Sequence, residues 1–115
     1  MIAKNVKTIL NNIKNKDKKV RVRLYYKSLL TKFEYAEILS VIRYCDNLFI
    51  SVSVKDTDID KSCFELLNDI IDKFYDDENA NDSLIQNLDD NKLFFVDDIV
   101  EYEDIIEIFA TEYTK

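Results

Sequence analysis

The sequence predicts an α+β domain of α/β-like order, a small sheet of about three strands covered by four to five helices, running αβαβα(α)βα. Three observations carry this expectation. Short stretches alternate apolar and polar residues at period two, while longer ones repeat apolar residues at three and four. The 115 residues contain no glycine and no proline, which disfavours the tight primed hairpin turns and favours connections through helices. A strand, a helix and a second strand follow one another within about 35 residues, the arrangement of a right-handed βαβ unit.

Each element has its own pattern. Residues 3–14 put Val6, Ile9, Leu10 and Ile13 on one helical face, and 15–19, KNKDK, form a polar break. In VRVRLYY, 20–26, Val20, Val22 and Leu24 point one way and Arg21, Arg23 and Tyr25 the other, as in a half-buried strand. Thr31 with Glu34 has capping-box spacing and predicts a second helix whose stripe is Tyr35, Ile38, Leu39, Ile42 and Cys45. LFISVSV, 48–54, alternates again with Leu48, Ile50, Val52 and Val54 on one face. A third helix, capped by Thr57 or Asp58, carries Cys63, Leu66, Leu67, Ile70, Ile71 and Phe74, and DDENAND, 76–82, ends it. Ser83 with Gln86 suggests one further turn carrying Leu84, Ile85 and Leu88. LFFV, 93–96, reads as a third strand. Asp98 with Glu101 opens a final helix with Ile99, Tyr102, Ile105, Ile106, Phe109 and Tyr113 at helical spacing. No internal repeat and no linker is read, so residues 1–115 form one domain.

Charge divides the chain. Residues 1–45 hold eleven Lys/Arg against three Asp/Glu, a net of +8, and residues 46–115 hold five Lys against twenty Asp/Glu, a net of −15; together these give the formal −7. A basic segment is thus followed by an acidic one. No apolar run approaches the roughly 18 residues of a membrane span, and no apolar leader core stands at the N-terminus. Cys45 and Cys63 are too few for a disulfide scaffold and read as small hydrophobes in a reducing compartment. The expected location is the cytoplasm.

Absences narrow the chemistry. No histidine supplies a general base or metal ligand near neutral pH. Without glycine there is no phosphate loop, nucleophile elbow or dinucleotide fingerprint. Asp56, Asp58 and Asp60 alternate but lack the glycine and twelfth-position glutamate of a calcium loop. Asp89/Asp90 and Asp97/Asp98 have only Lys92 nearby as a nuclease partner. The expectation is no enzyme, no metal and no cofactor.

Two binding surfaces remain. Asp72, Asp76, Asp77, Glu78, Asp97, Asp98, Glu101 and Asp104, with Tyr102 as an aromatic anchor, form an expected partner-binding surface for a basic protein. Arg21, Arg23 and Tyr25 on one strand face form the alternative, a nucleic-acid-binding strand over 20–27. A homo-oligomer of the unequally charged halves is a third possibility.

The runs DDENAND and VDDIVEYEDIIE, in a small single domain, resemble the acidic anti-defence proteins of phages and mobile elements, anti-CRISPR proteins among them. That resemblance implies an inhibitor in the cytoplasm of a bacterial host that occupies or immobilises a nucleic-acid-processing enzyme such as a defence nuclease. The element order is also similar to that of immunity proteins of the barstar type, which place an acidic helix in the basic site of a toxic nuclease. The expected function is therefore protein-binding inhibition of a basic nucleic-acid enzyme; direct nucleic-acid binding is the alternative, and no membrane is involved.

Overall fold

A computed structural model of the chain describes residues 1–27, 33–55, 60–74 and 82–113. Its six strands close into a barrel in chain order: β1 (Lys19–Tyr25), β2 (Phe33–Tyr44), β3 (Asn47–Ser53), β4 (Ser83–Asn87), β5 (Lys92–Glu101) and β6 (Ile105–Glu112). Two helices, α1 (Ala3–Asn11) and α2 (Cys63–Lys73), precede β1 and β4. Neighbouring strands are antiparallel except at two seams, β3–β4 and β1–β6, which are parallel. Among the described residues no helix is long and apolar enough to cross a membrane.

This corrects the expected α+β fold of three strands under four to five helices. The strands at 20–26 and 48–54 and the helices over 3–14 and from Cys63 are present, the last capped by Ser62 rather than by Thr57 or Asp58, which lie outside the described residues. The helix expected from Thr31 is instead strand β2, with Thr31 itself outside the described residues. The turn expected at Ser83 is β4, the short strand at 93–96 is the longer β5, and the C-terminal helix is the end of β5 and all of β6.

The misleading signal has a physical origin. A β-bulge between Ile38 and Ser40 puts one extra residue into β2, so Ile38 and Val41, three apart, both face the interior. The bulge between Val96 and Asp98 does the same to Val96 and Ile99 in β5. Three-residue spacing across a bulge imitates a helical stripe. Strand propensity pointed the other way: Ile105, Ile106, Ile108 and Thr111 crowd β6 with β-branched residues, which lose rotamer freedom in a helix and fit a pleated face.

One core fills the barrel. Val20, Val22 and Leu24 of β1 meet Ile38, Ile50, Ile85, Phe94, Ile106 and Ile108 from the other strands, all essentially inaccessible to water. Val6 and Leu10 of α1 and Leu66, Ile70 and Phe74 of α2 belong to the same core. Strand alternation supplies the inward set, and the i, i+4 spacing of each helix supplies the rest. The helices start where strands start. Ile2, before α1, bridges Asp82 at the foot of β4, and Ser62, before α2, bridges Lys19 at the foot of β1. The order is αβββ given twice, so the absence of a repeat read from the sequence is also corrected.

Candidate functional site

The outward face of β6, β1 and β2 carries the most organised set of side chains on the surface. Register brings them into rows. Arg21 lies between Glu107 and Glu37, Arg23 between Phe109 and Tyr35, and Tyr25 between Thr111 and Phe33. The alternation that buries Val20, Val22 and Leu24 necessarily turns Arg21, Arg23 and Tyr25 outward.

Both arginines converge on one carboxylate. The Arg21 guanidinium donates to Glu107 Oε1 at 2.6 Å, and that of Arg23 lies 2.6 Å from Oε2. The Glu107 side chain is only 3% exposed. A carboxylate taken that far out of water needs close cationic partners. Aromatic rings enclose the guanidinium groups. Arg21 Cζ sits 3.7 Å from the centre of the Tyr35 ring, and Arg23 Cζ sits 4.5 Å from Phe33 and 4.8 Å from Phe109, within cation–π range. Tyr25 touches both phenylalanines, and Phe33 packs edge-on to Tyr35. The Tyr25 hydroxyl, which accepts from Arg23, and then Glu107 raise the Arg23 pKa further, outweighing its burial. Phe33 and Tyr35 remain over a third exposed. The result is an aromatic surface whose two positive charges are half compensated by the one Glu107 carboxylate beneath them.

An acidic edge borders it. Asp98 of β5 lies beside Phe109 in register, and Asp97, the extra residue of the bulge, accepts from the Thr111 hydroxyl. Both carboxylates are exposed. Phe95 and Tyr113 extend the aromatic surface on the same side, their rings 4.7 Å apart.

The structure divides the expected partner-binding residues. Asp97 and Asp98 join Arg21, Arg23 and Tyr25 on one face. Glu101, Tyr102 and Asp104 sit at the β5–β6 hairpin, where Lys18 binds the Glu101 carboxylate at 2.8 Å and the Tyr102 carbonyl at 2.7 Å. Asp72 is on α2, in a groove with Leu39 and Ser40 of β2. Asp72 thus lies against β2 and Asp97 on β5, with β1 and β6 between those two strands on one side of the ring and β3 and β4 on the other. Asp76, Asp77 and Glu78 lie outside the described residues. Sequence reasoning assigned Phe109 to a helix core and gave Phe33, Tyr35 and Glu107 no part in the basic strand's surroundings. The alternation in IIEIFATE, 105–112, was the signal for Glu107 and Phe109.

A cavity of about 430 Å³ at the barrel end remote from the helices is lined by Tyr26, Glu34, Asn87, Asp90 and Lys92 among others. Its inner polar groups bind one another. Asn87 Nδ2 donates to the Tyr26 hydroxyl at 3.0 Å, and that hydroxyl donates to Asp90 at 3.3 Å. Among the described residues no cluster of three or more acidic or cysteine side chains is arranged to hold a metal ion. Cys63 is buried, its thiol pushed up by burial, and Cys45 is exposed.

Comparison with protein-family models, with curated proteins and with solved structures gives no match to this chain. The fold and the surface alone define what it is: a small closed β-barrel bearing an arginine–aromatic surface with an acidic edge.

Proposed function

We propose that the chain is a non-enzymatic protein-binding module that docks a basic partner on the β5–β6–β1–β2 face and inhibits it by occupation. The observation that carries this reading is the pair Arg21 and Arg23 held on the buried Glu107 beneath exposed Phe33 and Tyr35. Tyrosine and arginine dominate the energetic centres of protein interfaces, and side chains already locked by packing lose little freedom on binding. Asp97 and Asp98 at the edge favour a partner with lysines or arginines beside an apolar anchor and speed its approach. Nucleic-acid-processing enzymes present such surfaces, which agrees with the resemblance to anti-defence inhibitors; the resemblance to immunity proteins rests on an element order that the barrel does not have.

A second reading has one observation in its favour: exposed aromatic rings beside arginines on a sheet face suit base stacking. It is weaker because the two guanidinium groups share Glu107, which leaves one net positive charge, and the edge is acidic, so a phosphate backbone meets that charge beside carboxylates.

Capture from a nuclease-treated bacterial lysate separates the readings. The wild-type chain is expected to retain a basic protein that is lost with Phe33→Ala/Tyr35→Ala and with Asp97→Lys/Asp98→Lys, and to inhibit it when purified. Retention indifferent to both double variants, or a gel shift of RNA that vanishes with Arg21→Glu/Arg23→Glu, would overturn the proposal.

A further inference from the structure

The two αβββ units agree residue by residue. In β2–β3 the pairs are Ile38 with Val52, Ser40 with Ser51, Val41 with Ile50 and Ile42 with Phe49. In β5–β6 they are Val96 with Ala110, Asp98 with Phe109, Ile99 with Ile108 and Val100 with Glu107, each residue 58 further along. The bulge falls at the same place in both. In the helices Val6 and Leu10 answer to Leu66 and Ile70, 60 further along, all four fully buried. The seams agree too: Leu48 pairs with Ser83 and Ile50 with Ile85 across β3–β4, as Ile106 does with Val20 and Ile108 with Val22 across β6–β1.

The contacts between units are reciprocal. The residue before each helix bridges the first strand of the other unit, Ile2 to Asp82 and Ser62 to Lys19. The Ser83 amide donates to the Met1 carbonyl at 3.0 Å and the Val20 amide to the Lys61 carbonyl at 2.9 Å. Each unit alone is a three-stranded meander with two open edges, and α2 packs on β2 and β1 of the other unit rather than mainly on its own strands. The partner that satisfies both edges and the helix at once is another αβββ unit. Such mutual, two-fold complementarity is the geometry of an isologous dimer.

We infer that each αβββ unit carries a complete docking surface for a second such unit, so that the barrel is held by this interface rather than by the connection between the units, and that a second copy of this chain can supply the complementary half. This rests on strand register and core packing and is independent of the function proposed above.

A specific protease site replacing residues 56–59 tests it in the full chain. Before cleavage the variant should match the wild-type circular dichroism and elute as a monomer. After cleavage the two fragments should still elute together at the mass of the intact chain, with unchanged circular dichroism and a melting temperature that now rises with concentration. Mixing with an isotope-labelled cleaved copy should give hybrids of one labelled and one unlabelled half, seen by native mass spectrometry. Separation of the fragments, or collapse of the spectrum on cutting, would overturn the inference. Should the inserted site itself prevent folding, a circular permutant beginning at Asp60, with Tyr113 joined to Met1 by an eight-residue linker, replaces it. Failure of that permutant to fold would count equally against the proposal.

Discussion

Arg23 and Glu107 meet at 2.6 Å across the parallel β1–β6 seam, and Arg21 reaches the same carboxylate at the same distance. Two guanidinium groups therefore depend on one buried acid. Glu107→Ala would leave both without it under their aromatic cover. The expected cost is on the order of 3 kcal/mol, read as a lower urea midpoint with an unchanged slope. A loss below about 1 kcal/mol would show that water screens this pair as it does surface pairs.

Tyr26 gives the barrel an alkaline limit. Burial, first, and the Asp90 carboxylate push its hydroxyl up to about 12 from an ordinary 10.0, against the opposing hydrogen bond from Asn87. The folded chain thus holds this proton more tightly than the unfolded chain. Its contribution is complete below pH 10 and drains away as pH rises from 10 to 12, by on the order of 2 kcal/mol. Tyr26→Phe should cost about 1 kcal/mol at neutral pH, through the lost partner of Asn87, and flatten that alkaline limb. An identical limb in the variant would assign it to other groups.

The capping box of α2 acts at the other end of the scale. Glu65 accepts from the Ser62 amide at 3.2 Å, and Ser62 Oγ accepts from the Glu65 amide at 3.2 Å. The Ser62 backbone bond, first, and then its hydroxyl hold the Glu65 carboxyl below its usual range. A lowered folded pKa means stability present above the ordinary 4.5 and lost as pH falls below it. Ser62→Ala should cost about 1 kcal/mol at pH 7 and weaken the acid dependence below pH 4.5. Thermal melts at pH 7 and at a series of pH values below 4.5 measure both.

The bulge in β5 is a matter of count rather than chemistry. Asp97→Ser keeps an acceptor for Thr111 and should change stability by less than about 1 kcal/mol. Deleting Asp97 removes the extra residue that puts both Val96 and Ile99 inside. Everything beyond it then turns to the wrong face, and a loss of more than about 4 kcal/mol is expected. A deletion variant that melts near wild type would mean that the strand can be re-registered without cost.

Legibility in the sequence followed the regularity of the elements. VRVRLYY and LFISVSV alternate without interruption, and each is a strand to within a residue. Val6, Leu10, Leu66 and Ile70 keep helical spacing because nothing interrupts their helices. The bulged strands were lost, since one extra residue converts period two into a spacing of three at Ile38–Val41 and Val96–Ile99. The repeated order was hidden by unequal connections. The shift is 60 for the helices, 63 from Val20 to Ser83, and 58 for the other strands, so no single period runs through the chain. Outward positions also differ: the equivalents of Arg21 and Glu107 are Leu84 and Phe49. Arg21, Arg23 and Tyr25 were readable as an outward row. Their neighbours Phe33, Tyr35 and Phe109 were not, because only the register of three strands brings them together.

The β6–β1 seam also sets a schedule for the nascent chain. Arg21 waits for Glu107, 86 residues downstream, which at ordinary synthesis rates is a delay of roughly 4 to 17 seconds. From the completion of β3 until β4 is made, the first meander has both β1 and β3 without their outer partners, and an unpaired strand edge is a template for other chains. Charged Arg21 and Arg23 guard one of those edges during translation. The other, LFISVSV, has no such guard, and it is the stretch from which aggregation on the ribosome would begin.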